Sequence, residues 1–175
     1  MAARNEIPVE KFLLRPCAAF NDDWMLLTAG RFEPGKYNAM TVSWGAVGVI
    51  WGKPLAMVVV RPQRHTYRFM EEHEHFTLCG FPEMHRQALN LLGSVSGRDR
   101  DKIKASGLTP MAATRVRAPA YEEARLVLEC RKIYFDDLKP EHFLAPEISG
   151  NYPTRDYHRM YFGEILAIQG AREYQ

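Results

Sequence analysis

Long apolar runs, clustered charge and paired cysteines are all scarce in this chain. No apolar stretch approaches the ~18 residues of a membrane span. Met1 to Phe12 carries Arg4, Glu6, Glu10 and Lys11 where a signal peptide needs an apolar core. A cytoplasmic protein with no membrane partner is the expectation. The net charge is only +2 and no run of five or six Lys or Arg occurs, so the electrostatic footprint of a nucleic-acid surface is missing. The three cysteines, Cys17, Cys79 and Cys130, are odd in number and widely spaced among apolar neighbours. That pattern reads as reduced packing thiols rather than a disulfide framework or a metal knuckle.

Signatures of protein-borne catalysis are missing too. No Gly-x-Gly-x-x-Gly follows a strand, which removes support for a Rossmann dinucleotide fold. Gly30, Gly35 and Lys36 have phosphate-loop spacing, but Tyr37 replaces the Ser or Thr that would hold magnesium, and a strand follows where a helix must begin. A hairpin turn is the better reading. None of Ser43, Ser94, Ser96, Ser106 and Ser149 sits in a Gly-x-Ser-x-Gly elbow. His73 and His75, beside Glu71, Glu72 and Glu74, have no third ligand at motif spacing, so they read as a solvated turn and no metal is expected.

What is present is an ordinary globular composition: 175 residues, 46% hydrophobic and 25% charged, enough for one core and one domain over 1–175. Trp24–Thr28, Asn38–Trp44, Leu55–Val60, Phe76–Phe81, Leu126–Phe135 and Tyr157–Gln169 read as strands. A short helix is expected from Thr66 to Glu72, with the Thr66 hydroxyl capping its first turn. A second opens at Pro82, carries Met84, Ala88, Leu91 and Leu92 on one face and stops at Gly93, and a third spans Asp99–Ser106. The chain is therefore mainly β, a small β-barrel or half-open sheet with short helices.

Two segments carry the chemistry. In Val60-Arg61-Pro62-Gln63-Arg64-His65-Thr66 a buried strand runs into two guanidiniums and then a helix start, a corner that attracts a phosphate. In Asn38-Ala39-Met40-Thr41-Val42-Ser43-Trp44 small and hydroxylated residues flank Met and Trp, the kind of wall and edge that a flat ring needs. Read without the first segment, the second is equally an ordinary half-buried strand.

At these segments the chain resembles the flavin reductase-like family, whose FMN-binding domains adopt the split-barrel fold. Leu126–Arg131 with its Glu-Cys pair, Ser96-Gly97-Arg98-Asp99 and Tyr157–Ile165 are similar to it as well, so the resemblance spans roughly Trp24 to Gln169. It implies that Asn38, Met40, Thr41, Val42, Ser43 and Trp44 lie along the isoalloxazine, that Arg61, Arg64 and Thr66 hold the FMN phosphate, and that His158 stands close to the flavin. It further implies FMN in preference to FAD, and a homodimer. Trp44, Trp51, Tyr152 and Tyr161 suit either an aromatic interface or the core.

The function implied is oxidoreduction: hydride passes from NADH or NADPH to the flavin and on to an acceptor, which explains the absence of a catalytic triad. The acceptor is free flavin handed to a partner monooxygenase, or another small molecule. The alternative from a different class is a flavoredoxin-like electron carrier, reduced by a redox protein and lacking a nicotinamide site. An oxidase of a small phosphorylated amine would need a second arginine-rich corner, and the sequence has none of comparable quality.

Overall fold

The computed structural model describes residues 4–175. Its strands are β1 (Asn5–Glu6), β2 (Met25–Gly30), β3 (Tyr37–Val42), β4 (Gly45–Ile50), β5 (Lys53–Val60), β6 (His75–Gly80), β7 (Pro110–Met111), β8 (Ala120–Tyr121), β9 (Leu126–Asp137) and β10 (Arg159–Gly170). Its α-helices are α1 (Pro16–Asn21), α2 (His65–Glu72), α3 (Arg86–Ser94) and α4 (Lys102–Ser106). Among the described residues no helix is long and apolar enough to cross a membrane.

The main sheet runs β3-β2-β6-β9-β10-β5-β4, with β1 added to β10, and every pairing is antiparallel. Val42 and Gly45 end and begin the two outermost strands, yet only two residues separate them. Such a link reaches about 11 Å at full stretch, whereas a flat sheet of that order would hold its edges about 29 Å apart. The sheet must therefore curl on itself, leaving one open seam that Ser43 and Trp44 cross. Two register shifts between β9 and β10, at Phe162/Gly163 and Ile165/Ala167, help the long strands bend.

Period-two alternation then divides the apolar residues. Met25, Leu27 and Ala29 of β2, Met40 and Val42 of β3, Ala56, Val58 and Val60 of β5, and Phe76 and Leu78 of β6 fill the barrel, and Phe69 and Met70 of α2 join the same core. On the other face, Leu26, Ala39 and Cys79 pack with Leu89 and Leu92 of α3, Ile103 of α4 and Tyr121 of β8. Because β2 is covered on both faces, all six of its residues are buried, the polar Thr28 included. The Glu129 carboxyl, wholly buried in β9, accepts from Thr114 N at 2.9 Å, Thr114 Oγ1 at 2.9 Å and Arg115 N at 2.6 Å, which fastens the loop before β8 to the barrel.

Several local expectations need correcting. The strand through Asn38 ends at Val42, not Trp44, because the chain must leave the sheet to cross the seam. The second helix begins with a 3-10 turn, Glu83–His85, and its buried residues are Leu89 and Leu92, while Met84 is 82% exposed. Gly93 lies inside α3 instead of ending it, since a Cβ there would stand 3.1 Å from the Thr41 side chain. Arg64 occupies the N-cap of α2, and the Thr66 hydroxyl makes no capping bond. Cys79 and Cys130 are buried, as packing thiols should be, but Cys17 is exposed.

Candidate functional site

The seam opens into a cavity of about 230 Å³ lined by Met40, Thr41, Val42, Ser43, Trp44, Val59, Arg61 and His158. Seven of the ten residues singled out in the sequence thus share one space. Strand β3 supplies its wall up to Val42, and the crossing segment supplies Ser43 and a Trp44 ring that remains 43% exposed. Thr41 Oγ1 donates to Leu89 O at 2.5 Å, which ties this wall to α3.

His158 stands just before β10, only 8% exposed. Its ring lies 5.1 Å from that of Trp44, and its Nδ1 is 2.8 Å from the hydroxyl of Tyr152. Burial, with the nearby Arg61 cation acting in the same direction, lowers the imidazole pKa to about 4. At neutral pH this histidine is an uncharged ring in the cavity wall.

A smaller cavity of about 140 Å³ lies at the start of α2, and Arg64, Thr66, Ser96, Arg98 and Lys102 are among its lining residues. Among the described residues its cations are held by backbone carbonyls: Arg64 Nη2 donates to Gly93 O at 2.5 Å, Arg98 Nη1 to Gln63 O at 3.0 Å and Lys102 Nζ to Leu92 O at 2.7 Å. None of the three forms an ion pair among the described residues. Lys102 is 3% exposed, and burial, followed by repulsion from Arg64, lowers its pKa to about 8. Burying cations without a carboxylate is costly unless an anion arrives to share the space.

Arg61 differs. Its Nη1 donates to Asp156 Oδ2 at 2.6 Å and its Nη2 to Asn151 O at 2.8 Å, with the guanidinium 5.0 Å from the Tyr152 ring centroid. Gln63 and Thr154 also donate to Asp156, and this set, Arg61 first, holds the Asp156 carboxyl far below the usual carboxylate range. The two arginines that look equivalent in the sequence therefore serve different cavities. Asn38 joins neither. Its Nδ2 donates to Thr66 Oγ1 at 2.8 Å, a buried link between β3 and α2. His65 lines the small cavity, and its buried Nδ1 has no hydrogen-bond partner among the described residues.

Sequence reasoning missed Lys102 as a site residue, and Arg98 entered only as part of a resembling stretch. Lys102 looks like any charged residue of a short helix; it becomes buried because α4 packs on α3. No local signal marks it. Of the four aromatics considered for an interface, Tyr152 and Tyr161 are buried, while Trp51, at the tip of the β4–β5 hairpin, is 63% exposed.

Residues 18–173 match the family model described as a flavin reductase like domain. Among solved structures, an FMN-binding domain of a flavin reductases-like enzyme from Shewanella baltica aligns with a TM-score of 0.69 at 18% identity, covering 97% of this chain and 78% of that one. Flavoredoxin of Desulfovibrio vulgaris aligns with a TM-score of 0.67 at 20% identity, over 92% and 75%. Nitrilotriacetate monooxygenase component B from Bacillus cereus gives 0.67 at 18%, over 94% and 75%. At these identities the structures share the fold with this chain. A comparison with curated proteins returns no match.

Proposed function

This chain belongs to the flavin reductase-like family, and from that premise we propose that it holds FMN in the two cavities at the seam and passes electrons from NADH or NADPH to an acceptor. The observation that carries the reading is the set Arg64, Arg98 and Lys102, cations that among the described residues are tied to carbonyls and to no carboxylate, at one end of a strand wall sized for a flat ring. That donor set fits a phosphate dianion: guanidiniums offer forked N–H pairs, and a partly buried ammonium gains most from a counter-charge. FMN, when bound, supplies the hydride-accepting chemistry that no side chain here has.

The residues of this chain do the rest. Arg64, Arg98 and Lys102, with the Thr66 hydroxyl beside them, anchor the phosphate. Met40 to Trp44 hold one face and edge of the ring, Asn38 braces that strand through Thr66, and Arg61 closes the cavity's rim with Asp156. His158, neutral and held by Tyr152, orients the nicotinamide from the wall as a positioning residue.

The further elements of the proposal are a single working domain over 1–175, a cytoplasmic location and a homodimer. Val49 on the β4 edge and Trp51 at the adjoining hairpin tip, 71% and 63% exposed, suit a subunit interface, and light scattering of the purified protein tests that. A diffusible flavin taken on by a partner monooxygenase is the acceptor we favour.

The experiment is a titration of the flavin-free protein with FMN, followed by anaerobic mixing with each nicotinamide. A flavin spectrum that bleaches with NADH or NADPH is expected, and Arg64→Ala should weaken FMN about ten- to a hundredfold. Failure to bind FMN at micromolar concentrations overturns the flavin reading. Binding without bleaching by either nicotinamide would instead support the electron carrier.

A further inference from the structure

The connection from β9 to β10 ends at His158, which lines the seam cavity. Residues 139–157 of this connection form no α-helix or strand, only the 3-10 turns Pro140–His142 and Pro146–Asn151. Among the described residues, every backbone hydrogen bond that 139–157 make is internal and joins residues three apart. Tyr152 is the one buried residue of the stretch, and Leu144 is 97% exposed. Few buried apolar contacts and no ladder to a neighbour are the marks of a segment that opens readily. Phe143 and Tyr157 pack on Tyr152, with ring centroids 5.8 and 5.0 Å away, so the segment holds together as one strap.

Side chains fasten this strap. Apart from the Lys139–Asp136 pair at its root, its hydrogen bonds to the body fall at two points among the described residues. At the first, Arg61 Nη1 donates to Asp156 Oδ2 at 2.6 Å and Arg61 Nη2 to Asn151 O at 2.8 Å, and Gln63 Nε2 also donates to Asp156. At the second, the Tyr152 hydroxyl meets His158 Nδ1 at 2.8 Å. Arg61 and His158 are two of the eight residues that line the seam cavity. The strap therefore grips two of the cavity's own walls.

The rest of the lining gives way less readily. Met40, Thr41 and Val42 are paired to β2 and Val59 to β10, while Ser43 and Trp44 are strung between two paired strands. The cavity of about 230 Å³ is smaller than the about 300–1,000 Å³ typical of small-molecule sites. Hydride transfer sets two flat rings face to face. Room for them comes from the side of Arg61 and His158, where side-chain bonds and not a sheet fix the boundary.

We propose that residues 139–157 are a gate that sets the rate of flavin exchange at the seam, latched by Arg61 on Asp156 and by Tyr152 on His158. The proposal rests on the flavin reading given above. Flat rings pass while the latch is open, and closure returns Arg61 and His158 to the wall. The latch does not touch the phosphate anchors, so it is made alike in the free and the loaded protein. Weakening it raises the open fraction of both by the same factor, so entry and exit quicken together and affinity barely moves. A strap that only braced bound flavin would, once loosened, quicken exit alone.

The test is stopped-flow fluorescence. Association is followed on mixing FMN with the flavin-free protein, and dissociation on diluting the loaded protein, for the parent, Asp156→Asn and Tyr152→Phe. Each replacement keeps the size of the side chain and removes one point of the latch. Association and dissociation rate constants are both expected to rise about threefold or more in each variant, with the FMN Kd within about twofold of the parent. Association at the parent's rate in both variants, whatever dissociation does, overturns the gate and leaves the flavin reading intact. A parent that binds no FMN at micromolar concentrations overturns that reading, and the gate with it.

Discussion

The hydroxyl of Tyr152 and the Nδ1 of His158 stand 2.8 Å apart, six residues from one another, where a buried phenol meets a histidine that lines the seam cavity. Burial raises the pKa of the phenol and lowers that of the imidazole, so both groups are neutral at physiological pH. Between two neutral groups the bond is made in either of two ways: the phenol donates to Nδ1 when the imidazole proton is on Nε2, and the phenol oxygen accepts when that proton is on Nδ1. The aromatic packing of Tyr152 with Phe143 and Tyr157 holds this arrangement in place.

A pH dependence follows. Unfolded His158 takes up its proton near the ordinary 6.5, whereas folded His158 does so only near 4. Between those values the unfolded chain binds more protons, so this residue's contribution is complete above pH 6.5 and is lost as pH falls toward 4. Its ceiling is about 3 kcal/mol, at about 1.4 kcal/mol per pKa unit. Urea midpoints at pH 7 and at pH 4.5 should differ more for the parent than for His158→Gln. An imidazole proton resonance of His158 that titrates near 6.5 would sink the argument.

The strands were legible wherever burial left a period in the sequence. β2 and β5 are apolar because one or both faces are covered, and that pattern needs no knowledge of partners. Where the fold imposes a geometric demand, the local signal gives out. Ser43 and Trp44 have strand-compatible side chains, but closure of the sheet pulls them across the seam. Gly93 looks like a helix stop, yet its lack of a side chain serves the approach of Thr41. Arg61 and Arg64 are chemically the same until Asp156, 95 residues from Arg61, neutralises one of them. The resemblance supplied the order of the site segments, and tertiary packing alone brought Lys102 into them.

Gly97→Ala probes the brace behind the phosphate corner. The added Cβ would sit 2.3 Å from Asn38 Oδ1 and 3.1 Å from His65 Cδ2. Asn38 has little room to yield, since it is buried and bound to Thr66. The loop must therefore lift, taking Ser96 and Arg98 with it. A loss of about 1–3 kcal/mol in urea unfolding is expected, together with weaker FMN binding. Unchanged values of both would mean that the loop does not rest on Asn38.

The thiols should divide into two classes. Burial pushes the Cys79 thiol up to about 12 and raises that of Cys130 as well, so neither offers thiolate near neutral pH. Cys17 is exposed on α1. Ellman's reagent is expected to modify one thiol per chain in the native protein and all three in denaturant. Rapid reaction of a second thiol under native conditions would show that the barrel opens more readily than its packing implies.

Arg61 and Arg64 make the sharpest comparison. Among the described residues Arg64 has no carboxylate partner, so Arg64→Ala removes a cation available to an incoming phosphate. Arg61 already neutralises Asp156 and holds the segment from Asn151 onward by its carbonyl contact. Arg61→Ala therefore acts mainly by loosening that segment, and Asp156→Ala, which breaks the same pair from the other side, loosens it in the same way. FMN affinity should fall about tenfold or more in Arg64→Ala. It should fall by less, and by similar factors, in Arg61→Ala and Asp156→Ala. Raising the salt concentration should weaken FMN binding to the parent and to Arg61→Ala in parallel, but should affect Arg64→Ala less, because one of the screened attractions is already gone. If Arg61→Ala proves the more damaging substitution in fluorescence titrations, Arg61 rather than Arg64 holds the phosphate.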